Sequence, residues 1–116
     1  IISSPSLWWD HHTIFRREED YAATHDDLAT SVYLAIGGLE TDAGRRLEAA
    51  ALPDGHPAKP PAAELDLVDD LVRFTDSLAA RGYPDLDLRR EIIPDEFHGT
   101  VAGVVLTRGL RRFLGA

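Results

Sequence analysis

Three short apolar runs, separated by stretches with helical spacing, constrain the fold of this chain most strongly. The runs cover residues 1–4, 32–36 and 86–93, and the helical stretches follow each of them. The second run, VYLAI, is almost wholly apolar, as is typical of a parallel strand covered on both faces. Strands that alternate with helices of this length imply right-handed parallel crossovers. The sequence therefore predicts an α/β fold, a three-layer open parallel sheet with helices on both faces.

The helices and their ends can be placed from the spacing of apolar residues and from turn residues. Apolar residues at helical spacing predict helices over residues 12–25 and 101–114, with Asp10 as a cap for the first. Residues 43–52 could form a further short helix, and the following LPDGHPAKPPA is typical of a surface loop. A clean stripe from residue 65 to 79 predicts another helix, which Gly82 ends ahead of Pro84. In the last helix we expect the apolar residues to be available for burial: Val101, Val105, Leu106, Leu110 and Phe113.

Length, residue content and net charge exclude several classes of function for this chain. With 116 residues the chain fits a single domain, but it contains no methionine, so we expect it to be part of a longer protein. The absence of cysteine excludes disulfides, thiolate metal sites and thiol catalysis within these residues. A net charge of -8 argues against a nucleic-acid surface, and no segment has the length or apolarity of a membrane span or the pattern of a signal peptide. We expect a cytoplasmic location, and the alternatives are the periplasm or secretion.

Polar and aromatic residues follow each predicted strand, where the carboxyl ends of parallel strands form one edge of the sheet. Glu40 and Asp42 follow the second strand, and His98 follows the third. A carboxylate and a histidine on adjacent strand ends are neighbours within plausible hydrogen-bonding reach. Such a pair is the acid and base part of a catalytic triad, in which the carboxylate fixes the imidazole tautomer. The first strand is followed by a cluster of polar and aromatic residues: Ser4, Ser6, Trp8, Trp9 and Asp10.

Four segments carry a resemblance to a known family: IISSPSLWWD, VYLAIGGLETD, LAARGYPDLDLRREIIPDEFHGT and TRGLRRFLG. Together they resemble the C-terminal part of the α/β-hydrolase esterases that include the enterochelin-type esterases and the feruloyl esterases. The resemblance covers nearly the whole chain apart from about residues 43–62. It implies that residues 1–116 are a single partial domain, the C-terminal half of an α/β-hydrolase fold.

The resemblance also implies roles for individual residues. His98 matches the catalytic histidine, Glu40 matches the acid, and Trp8 and Trp9 match a loop beside the substrate crevice. Family members often have glycine where this chain has Asp95. The nucleophilic serine lies in a G-x-S-x-G elbow, which is absent here and is expected roughly 20 to 30 residues ahead of Ile1.

Each assignment has an alternative. Asp42 competes with Glu40 as the triad acid, and the two tryptophans are equally well interpreted as a packing plug. Ser4 and Ser6 lack the flanking glycines of a nucleophile elbow, so neither is expected to be the nucleophile. His11 and His12 could suggest a metal site, but a solvated helix start is the simpler interpretation. The acidic run Glu18–Glu19–Asp20 and the pair Asp69–Asp70 are interpreted as exposed helix faces.

The function predicted from the sequence is therefore the C-terminal part of a serine carboxylic-ester hydrolase that acts on a small-molecule ester without a cofactor or metal. These residues alone are expected to be inactive. The alternative is a non-catalytic α/β interaction module or a degenerate hydrolase. No nucleic-acid or membrane partner is expected, and the edge of the first strand is expected to pair with the rest of the protein or with another copy.

Overall fold

The computed structural model describes residues 1–57, 59 and 65–115, and it contains a three-stranded parallel sheet. The strands are β1 (Ile2–Ser3), β2 (Thr30–Gly37) and β3 (Leu86–Ile93), and β2 lies in the middle. β2 and β3 pair along their whole length, from Thr30 opposite Leu86 to Gly37 opposite Ile93. The parallel arrangement confirms the predicted α/β class, and β3 has the predicted bounds.

In the described part of the chain, four helices connect and follow these strands: α1 (Trp9–Ala22), α2 (Asp42–Ala51), α3 (Leu67–Ala80) and α4 (Val101–Leu114). The predicted bounds of α4 are confirmed, and α2 lies within one residue of its prediction. Gly82 has a φ of +68° after the end of α3, so the predicted C′ glycine is confirmed. Of the predicted loop over residues 52–62, residues 58 and 60–62 lie outside the described part. None of the described helices is long and apolar enough to cross a membrane.

The start of α1 differs from the prediction. Asp10, His11 and His12 all have positive φ angles, so they form a left-handed turn ahead of the regular helix. Asp10 lies inside this turn and makes no side-chain capping bond, which shows that its prediction as the helix cap was wrong. The sequence pattern did not reveal the turn because an aspartate such as Asp10 also favours an ordinary helix start.

The core has two parts, one on each face of the sheet, because successive β2 side chains point to opposite faces. On one face Leu34 and Ile36 pack with Leu67 and Leu71 of α3, and α1 lies against the same cluster. On the other face Tyr33 and Ala35 pack with residues of β3 and α4: Ile93, Val101 and Val105. Helices therefore cover both faces, which confirms the predicted layering.

Part of the apolar surface remains exposed. Val101 and Val105 of α4 are fully buried and Val104 is partly buried against the same cluster, but four large apolar residues of this helix are exposed: Leu106, Leu110, Phe113 and Leu114. The prediction of burial was therefore wrong for Leu106, Leu110 and Phe113. The reason is the narrow sheet, since β1 has only two residues and α4 meets it through Gly109, which lies against Ile1. Ile1 and Ile2 are themselves exposed on the outer edge of the sheet.

A polar network ties α4 to the sheet. The Tyr33 hydroxyl donates to Glu91 Oε2 at 2.5 Å, and Arg108 of α4 pairs with Glu91 Oε1. Burial, followed by the hydrogen bond to Glu91, raises the pKa of Tyr33 to about 12. The same hydrogen bond lowers the pKa of Glu91, with a further contribution from Arg108. The phenol therefore stays protonated and the carboxylate ionised over the physiological range.

Candidate active site

The loops after β2 and β3 are held together by backbone hydrogen bonds. Gly38 N–H donates to the Ile93 carbonyl at 2.7 Å, and Leu39 N–H donates to the Glu96 carbonyl at 3.1 Å. Gly37 must be glycine here, because a Cβ atom would lie 2.2 Å from the Glu96 carbonyl oxygen. This close approach brings the side chains that follow the two strands to the same point of the sheet edge.

Glu40 is the centre of the site. Its side chain is fully inaccessible to solvent, and a buried carboxylate is costly unless hydrogen bonds or charges compensate it. Oε1 accepts from Ser4 Oγ at 2.6 Å and from Gly37 N–H at 2.8 Å. Oε2 lies 2.8 Å from Nδ1 of His98. Each oxygen thus has a defined set of donors, and the plane of the carboxylate is fixed.

His98 lies in the turn between β3 and α4, which is closed by hydrogen bonds between Phe97 and Thr100. Because an ionised carboxylate only accepts, its contact with Glu40 assigns a proton to Nδ1. In the neutral ring the lone pair then belongs to Nε2, which has no hydrogen-bond partner among the described residues. The His98 side chain is 59% exposed while Glu40 is enclosed. The predicted contact between these two side chains is confirmed. In this tautomer Nε2 carries the lone pair and can accept a proton.

Ser4 contacts the site in a way that the sequence analysis did not predict. It follows β1, is buried, and its hydroxyl is bonded to Glu40 rather than to His98. Its φ of +44° falls in the left-handed region, which costs a residue other than glycine about 1 kcal/mol or more. The contact spans 36 positions of the chain. No local pattern reveals such a contact, and only the adjacency of the ends of β1 and β2 could have indicated it.

The competing carboxylate, Asp42, is engaged elsewhere. Its Oδ2 accepts from Arg46 Nε at 2.9 Å, one turn along α2. Of the two candidates for a contact with His98, the structure therefore places Glu40 there. Asp95, on the same rim, has a φ of +61°. This backbone conformation favours glycine over residues with a side chain.

The two tryptophans separate into different environments. Trp8 is half-buried and packs against the core, whereas Trp9 is 67% exposed. Their rings meet edge to face with centroids 5.8 Å apart. With Leu65 and the left-handed turn at residues 10–12, they line an open groove on the surface. Trp8 thus has the position of a packing residue, and Trp9 is the one available to a ligand.

His12 and Glu18 of α1 each form a pair with a residue of α3 or of its C-terminal end. His12 Nε2 lies 3.0 Å from Asp70, which is buried, and Arg81 forms a two-point ion pair with Glu18, whose side chain is 7% exposed. The interpretation of Asp70 and Glu18 as exposed was therefore wrong, because both serve contacts between α1 and the α3 region. Among the described residues no group of three or more histidine or carboxylate side chains is placed to hold a metal ion.

Comparisons with known proteins found no matching family model, no matching curated protein and no matching solved structure. The geometry of the site and the physical chemistry of its residues therefore carry the functional argument.

Proposed function

We propose that this chain is the C-terminal part of a serine carboxylic-ester hydrolase and supplies its catalytic histidine and acid. The observation that carries the proposal is the pair formed by His98 and Glu40. A buried carboxylate holds one ring nitrogen, and the other has no partner in the described part of the chain. This is the arrangement that a general base needs to accept a proton from a hydroxyl group.

The mechanism follows from the two nitrogens of His98. Nε2 takes the proton of the attacking serine hydroxyl while the serine oxygen bonds to the ester carbonyl carbon. The imidazolium then returns that proton to the leaving alcohol, which gives an acyl-enzyme. In the second half, Nε2 takes a proton from water while the water oxygen bonds to the acyl carbon, and the imidazolium then returns that proton to the serine oxygen as the acid is released. Throughout, Glu40 keeps Nδ1 protonated and stabilises the positive ring without itself taking the proton.

The nucleophile is expected outside residues 1–116. Ser4 donates its hydroxyl to Glu40, and no serine in the described residues hydrogen-bonds to Nε2 of His98. We propose that the nucleophile strand pairs with the exposed outer edge of β1, which ends at the site. The exposed apolar residues of β1 and α4 supply a surface for the same part of the protein: Ile1, Ile2, Leu106 and Leu110.

The substrate class is a small-molecule ester. The exposed ring of Trp9 beside an open groove suits an aromatic or acyl group, since a large flat side chain gains much from covering apolar surface. In the full-length protein, Trp9→Ala should raise KM for an aryl ester several-fold with little change in kcat. An equal KM in the variant and the parent would remove Trp9 from the substrate site.

Hydrolysis of p-nitrophenyl acetate by the full-length protein tests the proposal. His98→Ala should lower kcat/KM by about 10³-fold or more, within the range expected for loss of a general base. His25→Ala is the matched control, because that histidine is exposed and its contacts are local, with Tyr21 and Thr24. Undiminished turnover in His98→Ala would reject the catalytic assignment and favour a non-catalytic α/β module. Residues 1–116 alone should show no turnover.

A further inference from the structure

The Ser4 hydroxyl is a buried nucleophile-type group that the hydrolytic mechanism above does not use. It lies at the end of β1, while Glu40 follows β2 and His98 follows β3. The three side chains form one chain of hydrogen bonds across the ends of three adjacent strands. Its distances are 2.6 Å from Ser4 to Glu40 and 2.8 Å from Glu40 to His98.

We infer that Ser4 is a positioning residue, which orients the Glu40 carboxylate so that Oε2 faces Nδ1 of His98. The inference rests on the proposed function and adds a residue to it. Two donors, Ser4 Oγ–H and Gly37 N–H, hold Oε1. Because a carboxylate is planar, fixing Oε1 in this way also fixes the direction of Oε2. Without the Ser4 hydroxyl, Gly37 N–H still donates to Oε1, but the carboxylate is held less firmly about its last bond.

The backbone of Ser4 supports a specific role. Its N–H donates to the Ala35 carbonyl at 2.8 Å, so β2 holds its main chain, while its φ of +44° is one that glycine adopts more readily than serine. Serine therefore occupies a position whose backbone conformation suits glycine better. The hydroxyl group is the feature of serine that makes a contact here, and that contact is with Glu40. Strained residues of this kind concentrate where the surroundings require a particular side chain.

The test separates the hydroxyl from the backbone in the full-length protein. Ser4→Gly removes the hydroxyl and relieves the backbone strain, Ser4→Ala removes the hydroxyl alone, and Ser4→Thr keeps the hydroxyl but adds a branched side chain where φ is positive. Ser6→Ala is the matched control, because Ser6 lies on the same loop and is exposed. For ester hydrolysis we expect Ser4→Gly and Ser4→Ala to lose about tenfold in kcat with KM within twofold. Ser4→Thr and Ser6→Ala should retain more activity than either.

A second readout needs no turnover. The proton on Nδ1 of His98 should give a protected low-field NMR signal in the parent, and Ser4→Ala or Ser4→Gly should make that proton exchange faster with water. A role of Ser4 in folding alone predicts instead that Ser4→Gly, with its relaxed backbone, keeps kcat and the slow exchange of the Nδ1 proton. That result, or equal losses in Ser4→Ala and Ser6→Ala, would overturn the inference.

The two proposals can fail separately. If His98→Ala keeps the parental kcat/KM, the proposed hydrolase function fails, while the exchange rate of the Nδ1 proton still decides whether Ser4 holds the carboxylate. If His98→Ala loses activity but Ser4→Ala matches the parent in both readouts, the hydrolase proposal stands and the role of Ser4 is rejected.

Discussion

Replacing Glu40 by glutamine should move the proton of His98 from one ring nitrogen to the other. In the parent, Oε1 of Glu40 accepts two hydrogen bonds, from Ser4 and from Gly37 N–H. A glutamine at this position has one oxygen and one NH₂ group to place. Because Gly37 N–H can only donate, the glutamine oxygen should take the place of Oε1 and the NH₂ group should face His98.

The size of this preference follows from the alternative orientation. Turning the amide over would set the NH₂ group against Gly37 N–H and leave a buried donor without an acceptor, which costs about 1–3 kcal/mol. The NH₂ group therefore faces Nδ1 in most molecules. An NH₂ group donates, so Nδ1 must accept, and the proton of the neutral ring moves to Nε2. A protonated Nε2 cannot take a proton from serine, and the equivalent loss of tautomer control in a serine protease lowers kcat about 10⁴-fold.

Two measurements check this prediction. In the full-length protein, kcat for p-nitrophenyl acetate should fall by about 10³–10⁴-fold, with thermal unfolding little changed. In the same protein, the ¹⁵N shifts of the His98 ring should report a protonated Nδ1 in the parent and a protonated Nε2 in Glu40→Gln. A variant that keeps kcat within about threefold of the parent, or that keeps the proton on Nδ1, would refute this reasoning.

Three further predictions follow from contacts near the site and from the hydrogen bond between Tyr33 and Glu91. Asp42→Asn should leave kcat/KM unchanged, since Asp42 pairs with Arg46; a loss as large as that of Glu40→Gln would reopen the choice of acid. Gly37→Ala should lower the free energy of unfolding by about 1–3 kcal/mol, measured by chemical denaturation, because its Cβ meets the Glu96 carbonyl; parental stability would contradict this. Because the pKa of Tyr33 is raised to about 12, the unfolded chain loses this proton first as pH rises. The contribution of Tyr33 to the free energy of unfolding is complete below pH 10. It should fall by up to about 2 kcal/mol between pH 10 and 12. In Tyr33→Phe the free energy of unfolding should change less with pH in this range. An unchanged pH dependence would show that Tyr33 does not cause it.

The contact between Glu40 and His98 could be predicted from the sequence because it depends mainly on which strands are adjacent in the sheet. Once residues 30–37 and 86–93 are recognised as adjacent parallel strands, their carboxyl ends must lie together, and Glu40 and His98 each follow one of them. The choice between Glu40 and Asp42 could not be made in this way. It depends on the start of α2, where Asp42 faces Arg46 one turn later.

Other features depend on contacts that no local pattern encodes. The bond from Ser4 to Glu40 joins residues far apart in the chain, and serine after a strand is common for many reasons. The left-handed turn at residues 10–12 is made by polar residues that also suit an ordinary helix start. The exposure of Leu106 and Phe113 follows from the width of the sheet rather than from the spacing of apolar residues in α4.

The most direct test of the central claim is covalent labelling of the full-length protein with a fluorophosphonate, followed by mapping of the modified residue. A serine activated by Nε2 of His98 should attack phosphorus and expel fluoride. A single serine outside residues 1–116 should be modified, and labelling should be abolished in His98→Ala. Modification of Ser4 or Ser6, or labelling that persists undiminished in His98→Ala, would contradict it.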